Sequence, residues 1–362
     1  MPDRTASQLR VNTRSEWVNV ATDAMWKAMQ EAEIGWPHRR EDPHVNRLEG
    51  MMAEIAGKEA ALFLPTTNCA NLLAMMGLCR SGQQVIMESR CHLWWVEQNI
   101  PRLTAASPRL LPGNKFGEMR LESIATAIVE QRYGMRPETA AVCLENTHNV
   151  CGGVALAPAY IQQVAELAHR HSARLFIDGA RIFNAAAAVQ VPLSELTANV
   201  DAFSVSLNKG LGAPFGALLC GSEELIEAAR QNHTILGSHS IHKAGFLAAA
   251  GIVALETMVD RLPEDHARAR RLAELLADTP GLHIDLETVQ TNIVRVNLDD
   301  IDPHTFCEHV EANGVGVIVL DNRSVKFITH AGISDADIEL AASIVKEVVA
   351  ALSTAGAVST GR

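Results

Sequence analysis

Short apolar runs recur along the first two-thirds of the chain, separated by stretches in which apolar residues return at helical spacing. The runs predict strands at Ala60–Leu64, Gln84–Met87, Ala140–Leu144, Arg174–Ile177, Ala202–Ser206 and Gly216–Leu219. Between them the spacing predicts helices, among them Leu121–Gln131 and Pro158–His171. Strands alternating with helices in this way read as an α/β domain with a mostly parallel sheet. A long helical pattern from Ile241 to Asp278 follows, with a break near Pro263. Beyond it the texture changes. Gly281–Asp285, Thr291–Leu298 and Gly316–Leu320 read as strands, and Asp302–Asn313 and Ser334–Leu352 as helices. That is a smaller α+β domain. The expected layout is an N-terminal arm with one helix (Ala21–Ala32) over residues 1–45, a large α/β domain over 46–260 and the small domain over 261–355. The first ten residues and the closing stretch ALSTAGAVSTGR read as tails.

Composition narrows the choices. Apolar residues make up 48% and charged residues 20% of 362, as in an ordinary globular protein. A net charge of -11 argues against a general nucleic-acid binder, because phosphate backbones attract basic surfaces. The longest apolar stretch, Ala244–Leu255, is too short to span a bilayer as a helix, and the N-terminus shows no secretory pattern. Seven cysteines, without a C-x-x-C pair, signal neither a disulfide framework nor a zinc site; buried thiols in a reducing cytoplasm are the expectation.

Two segments carry candidate chemistry. In Phe176-Ile-Asp-Gly-Ala-Arg181 a buried strand ends on Asp178, where open α/β sheets bind ligands. In the segment Asp201–Gly216 a strand runs into Lys209, followed by three glycines within seven residues. A desolvated lysine becomes a nucleophile toward carbonyls. Taken singly, Asp178 reads equally as a turn residue and Lys209 as a surface lysine.

Together the two segments resemble the pyridoxal-phosphate (PLP) arrangement of the threonine aldolase and β-eliminating lyase family. DGARIFNAAAA (178–188) and NKGLGAPFGALLCGS (208–222) look like its signature segments. So do EDPHVNRLEG (41–50), GKEAALFLPT (57–66), LENTHN (144–149), EDHARARRLAE (264–274), QTNIV (290–294) and ITHAGIS (328–334), in the family's order. The resemblance implies PLP fold type I, with a mostly parallel sheet of the seven-stranded type. It implies Lys209 as the residue holding PLP as a Schiff base, and Asp178 as partner of the pyridinium nitrogen. His92 matches the histidine that stacks on the ring, and Glu97 a glutamate near it. Thr67 and Asn68 match the turn that holds the phosphate, with Ser206 beside it. Arg181 and Ser15 match binders of the substrate carboxylate. His148 matches a pocket histidine proposed as base or as orienter of the β-hydroxyl.

Several positions depart from the family pattern. Lys326 stands where the family has an arginine, His242 or Lys243 at another, and Arg39 where it has a tyrosine. Thr67 stands where a glycine is usual, Gly237-Ser-His-Ser240 replaces most of a glycine run, and Trp17 lies in the arm. With Arg40 beside Arg39, these changes suggest a larger or more anionic β-substituent than threonine carries. The resemblance further implies a homotetramer, a dimer of dimers with active sites at subunit interfaces. Retro-aldol cleavage of a β-hydroxy-α-amino acid is the expected reaction. β-Elimination to a keto acid and ammonia, aminotransferase chemistry, and a PLP-binding protein without turnover remain alternatives. No metal is implied.

Overall fold

The computed structural model describes residues 9–97, 99–129, 137–237 and 241–359. The chain divides into two compact units. The smaller holds the segments up to Asn19, Val150–Gly153 and everything from Arg261 onward; the larger holds Val20–Asn149 and Val154–Asp260.

Strand β1 (Val11–Asn12) belongs to the smaller unit. The larger unit then supplies β2 (Ala60–Leu64), β3 (Gln84–Glu88), β4 (Ser107–Leu111), β5 (Thr139–Glu145), β6 (Arg174–Gly179), β7 (Ala202–Ser206) and β8 (Ala217–Gly221). These form one seven-stranded sheet in the order β2-β8-β7-β6-β5-β3-β4. The contiguous block from β7 to β4 is parallel, and β8 runs antiparallel to both its neighbours. Every residue of β3, β5, β7 and β8 is buried, as continuous apolar runs in a parallel sheet require. Parallel strands place their carboxyl ends along one edge, so Glu88, Glu145, Asp178 and Ser206 terminate neighbouring strands on the same side. Strand β4 was not anticipated. It is an edge strand containing Pro108, and only its last residue is buried, so it lacks an apolar run.

In the smaller unit, β9 (Leu282–His283), β10 (Ile293–Leu298), β12 (Ile318–Asp321) and β13 (Ser324–Ile328) form an antiparallel sheet, while β11 (Val315–Gly316) pairs with β1. Phe306, Phe327 and Val345 are wholly buried in its core. The long helical pattern is two helices, Ala244–Thr257 and Leu262–Leu276, with Pro263 in the first turn of the second, where its missing N–H costs nothing. The closing stretch is not a tail throughout: the last helix runs Asp335–Ser359. Ala, Leu and Ser continue its helical propensity past the point where the apolar periodicity fades. Residues 130–131 of the expected Leu121–Gln131 helix and residues 238–240 of the altered glycine run lie outside the described residues. No helix among the described residues is long and apolar enough to cross a membrane.

Candidate active site

The carboxyl edge of the large sheet carries a dense polar cluster. Asp178 is the next-to-last residue of β6 and is 2% exposed; its Oδ1 accepts from the Ala180 backbone N–H at 3.3 Å. Burial raises its pKa, and the charge of Glu97 raises it further, with His92 and Lys209 acting in the opposite direction. His92 opens a short helix, His92–Trp95, shortly after β3. Its Nδ1 lies 2.8 Å from Glu97 Oε1 and 3.9 Å from Asp178 Oδ2. Its backbone N–H donates to Glu145 Oε2 at 2.6 Å, and Glu145 Oε1 accepts from Asn149 N at 2.8 Å. Burial alone would lower the His92 pKa, but the Glu97 hydrogen bond and the charges of Asp178 and Glu145 hold it above the ordinary value. His92 is therefore a stronger proton acceptor than an ordinary imidazole, among three buried carboxylates.

Lys209 is half-buried on the loop after β7. That loop folds back through Gly212 N–H to Lys209 O (2.9 Å) and Leu207 N–H to Gly216 O (3.0 Å). Gly216, at φ 104°, lies so close to the Phe63 ring that a Cβ would collide, which explains the glycine. Ser206 is buried, and its hydroxyl donates to Asn208 Oδ1 at 2.7 Å. Thr67 and Asn68 are the first two residues of the helix Thr67–Leu78, and Thr66 is its N-cap, accepting from Cys69 N. The extended conformation the turn needs is taken by Thr66 (φ -147°, ψ 157°), so a threonine at 67 meets no dihedral restriction. First-turn N–H groups have no intrahelical acceptor and favour an anion. Arg181 is buried and caps the helix Ile182–Val189 just after Asp178 and Gly179.

The other expected site residues sit on further elements. His148 is wholly buried, with Nε2 3.1 Å from Glu88 Oε2. Arg39 is exposed, its guanidinium 4.4 Å from the Trp36 ring centroid, and His242 is exposed ahead of the helix Ala244–Thr257. Their neighbours His38, Arg40 and Ile241 line a cavity of ≈ 460 Å³ that shares no residue with the Asp178 cluster. Arg40 pairs with Glu227 at 3.0 Å. Ser15 and Lys326 belong to the smaller unit. Ser15 Oγ accepts from Trp17 N at 3.2 Å, capping a short 3-10 turn, and Lys326 sits on β13 opposite Arg295. Sequence reading missed Glu88, Asn71, Glu145 and Ser204. The first and third could have been found as carboxylates ending buried strands.

The donor set matches one cofactor. It offers a buried carboxylate for a ring cation, a helix N-terminus for a phosphate, an amine for an aldehyde and an imidazole beside them. Sheet order and site together define a fold type I enzyme that uses PLP.

Comparison with known proteins agrees. The sequence model described as "Beta-eliminating lyase" matches residues 12–299. The chain is 35% identical over 345 residues to low-specificity L-threonine aldolase 1 of Arabidopsis thaliana, covering 94% of this chain and 96% of that protein. It is 34% identical to the low specificity L-threonine aldolase of Escherichia coli K12, covering 90% and 95%. Among solved structures, Leishmania major threonine aldolase aligns with a TM-score of 0.80 at 17% identity over 94% of this chain and 99% of that one, a likeness of fold. The chain belongs to the beta-eliminating lyase family, is a PLP-dependent lyase, and takes PLP as its cofactor.

Proposed function

We propose that this protein cleaves threonine or a related β-hydroxy-α-amino acid between Cα and Cβ, releasing glycine and an aldehyde. The carrying observation is the near full-length similarity to two low-specificity L-threonine aldolases. The clustering of Asp178, His92 and Glu97, whose ligand atoms lie within 4.8 Å of one another, supports it.

In this reading Lys209 would hold PLP covalently, Asp178 would pair with the ring nitrogen, His92 would lie against the ring, and Thr67, Asn68 and Ser206 would hold the phosphate. Bound there, PLP supplies an electron sink for the pair left by the breaking Cα–Cβ bond. The chain's own work is positioning and proton transfer. Arg181 holds the substrate carboxylate as a two-pronged pair, which turns the scissile bond to the orientation that favours its cleavage over competing ones. His92 takes the β-hydroxyl proton through Nε2, since Nδ1 faces Glu97. His148 is wholly buried and paired with Glu88 at 3.1 Å, which fits a supporting role better than that of proton acceptor or orienter of the β-hydroxyl.

Arg39 and His242 are exposed, as residues that complete a neighbouring subunit's site must be in the isolated chain. Exposed Trp26, Ile34 and Trp36 on the larger unit fit burial in a homotetramer. The seven free cysteines fit the cytoplasm.

β-Elimination is the second reading, favoured by the description of the matching family. Products decide. Purified protein with PLP is offered L-threonine, L-allo-threonine, phenylserine and hydroxyaspartate, as wild type and as Lys209→Ala. Glycine plus aldehyde, lost in the variant along with the yellow absorbance, is expected. Keto acid and ammonia without glycine would overturn the aldolase reading.

A further inference from the structure

Behind His92 a line of buried hydrogen bonds runs inward. Glu97 Oε1 accepts from His92 Nδ1 and, at 2.9 Å, from Asn71 Nδ2. Asn71 Oδ1 accepts from Ser204 Oγ at 2.6 Å. Asn71 and Ser204 are 0% exposed and Glu97 2%. The three residues come from three elements: the helix Thr67–Leu78, the segment after His92–Trp95, and the middle of β7.

The direction of every bond follows from chemistry. An ionised carboxylate only accepts. Asn71 must therefore turn its NH2 group toward Glu97, which leaves its carbonyl toward Ser204, and the hydroxyl must donate. By the same logic the proton between Glu97 and His92 sits on Nδ1. Among the described residues Glu97 Oε2 is buried without a hydrogen-bond partner, and Asn71 and His92 supply the side-chain hydrogen bonds to this carboxylate. Local structure explains why Asn71 can serve here. It is one helical turn after Thr67, on the same face, and the helix packs against β7. A purely structural pairing of a buried Asn and a buried Ser would need no charged terminus. This line ends on a carboxylate and an imidazole.

We infer that Asn71 and Ser204 are positioning residues: Ser204 orients Asn71, Asn71 orients Glu97, and Glu97 fixes the His92 ring with its proton on Nδ1, leaving Nε2 to exchange protons with substrate. The inference rests on the proposed role of His92 at the cofactor. The charged groups facing the His92 ring and backbone are Glu97, Asp178 and Glu145.

The test is a double-mutant cycle on the PLP-loaded enzyme. Cofactor content, the induced circular dichroism of the bound cofactor, kcat and KM for L-threonine are measured for Asn71→Leu, Ser204→Ala, Ser204→Thr, His92→Phe and Asn71→Leu/His92→Phe. Loss of a charge-assisted supporting bond is expected to lower kcat roughly tenfold in Asn71→Leu and about threefold in Ser204→Ala. KM and cofactor content stay near wild type, the cofactor dichroism weakens in both, and Ser204→Thr, which keeps the hydroxyl, stays near wild type. In the His92→Phe background Asn71→Leu adds little, because its route is already cut. Multiplying effects in the double variant overturn the inference, as does a Ser204→Thr as impaired as Ser204→Ala. If Asn71→Leu does not fold, the Ser204 pair and its dichroism decide alone. A wild type that forms no yellow band with PLP, or a Lys209→Ala that keeps it, sinks the site reading instead.

Discussion

His148 and Glu88 meet at 3.1 Å, Nε2 to Oε2, with side chains only 1% and 2% exposed. Burial would raise the Glu88 pKa, but the His148 hydrogen bond and charge, the Arg90 N–H and the Arg90 charge bring it down to about 2 from an ordinary 4.5. A carboxyl depressed in this way stabilises the fold above its unfolded-state pKa, and the contribution fades as pH falls from 4.5 through about 2. Glu88→Gln is expected to cost about 3–5 kcal/mol at pH 7, the scale for breaking a buried pair. The gap from wild type in denaturant titrations should narrow toward pH 2–3. A constant gap across that range would separate Glu88 from this account.

Gly117 guards the other side of the same ring. At φ 80° it lies so close to His148 that a Cβ would overlap the imidazole carbons. Gly117→Ala is expected to destabilise by about 1–3 kcal/mol through backbone strain and ring displacement. Its kcat should fall alongside Glu88→Gln, because both disturb His148. Thermal midpoint and kcat, measured on the same preparation, check this.

Asp178 shows the opposite sign. Its pKa is pushed up from 3.8 to about 6, first by burial and then by Glu97. A raised carboxyl favours the fold below its unfolded-state pKa and loses that advantage as pH climbs through about 6. Asp178→Asn, which carries no charge at any pH, is expected to make the cofactor-free protein more stable than wild type at pH 8 but not at pH 4. The same variant should lose nearly all activity with PLP. Equal or lower stability at pH 8 would mean that Asp178 is solvated better than its burial indicates.

Arg181→Lys keeps the charge and removes the planar fork. On the proposed carboxylate role, KM for L-threonine is expected to rise roughly tenfold, the loss of one charge-assisted hydrogen bond, with cofactor binding intact. An unchanged KM would move carboxylate binding to other residues.

Glu49 provides a control away from the cluster. It accepts from the Phe63 N–H of β2 at 2.8 Å and pairs with Arg230. Glu49→Gln should destabilise by about 1–3 kcal/mol by leaving the half-buried Arg230 without its counter-charge. At temperatures where it stays folded, kcat should match wild type.

The sheet was readable because its central strands are continuous apolar runs, and Lys209 and Asp178 because each follows such a run. Strand β4 escaped because Pro108 and partial exposure erase the apolar signal. Asn71 and Ser204 escaped for another reason. A polar residue within an apolar element is visible in sequence, but its partner, 133 positions away, is set by packing between helix and sheet. His148 shows the same limit: its place in the chain resembles a pocket histidine, while its hydrogen-bond partner, Glu88, lies 60 positions earlier.

Three buried carboxylates, Glu97, Glu145 and Asp178, surround His92, and burial makes Asp178 hold its proton more tightly than an ordinary carboxyl. A ligand whose ring nitrogen bears a proton would supply the counter-charge that favours ionised Asp178. PLP is thereby a folding partner as well as a reagent, because a ligand that binds only the native state raises its stability with concentration. Resistance to heat and to proteolysis would then rise and fall with the amount of free cofactor around the protein.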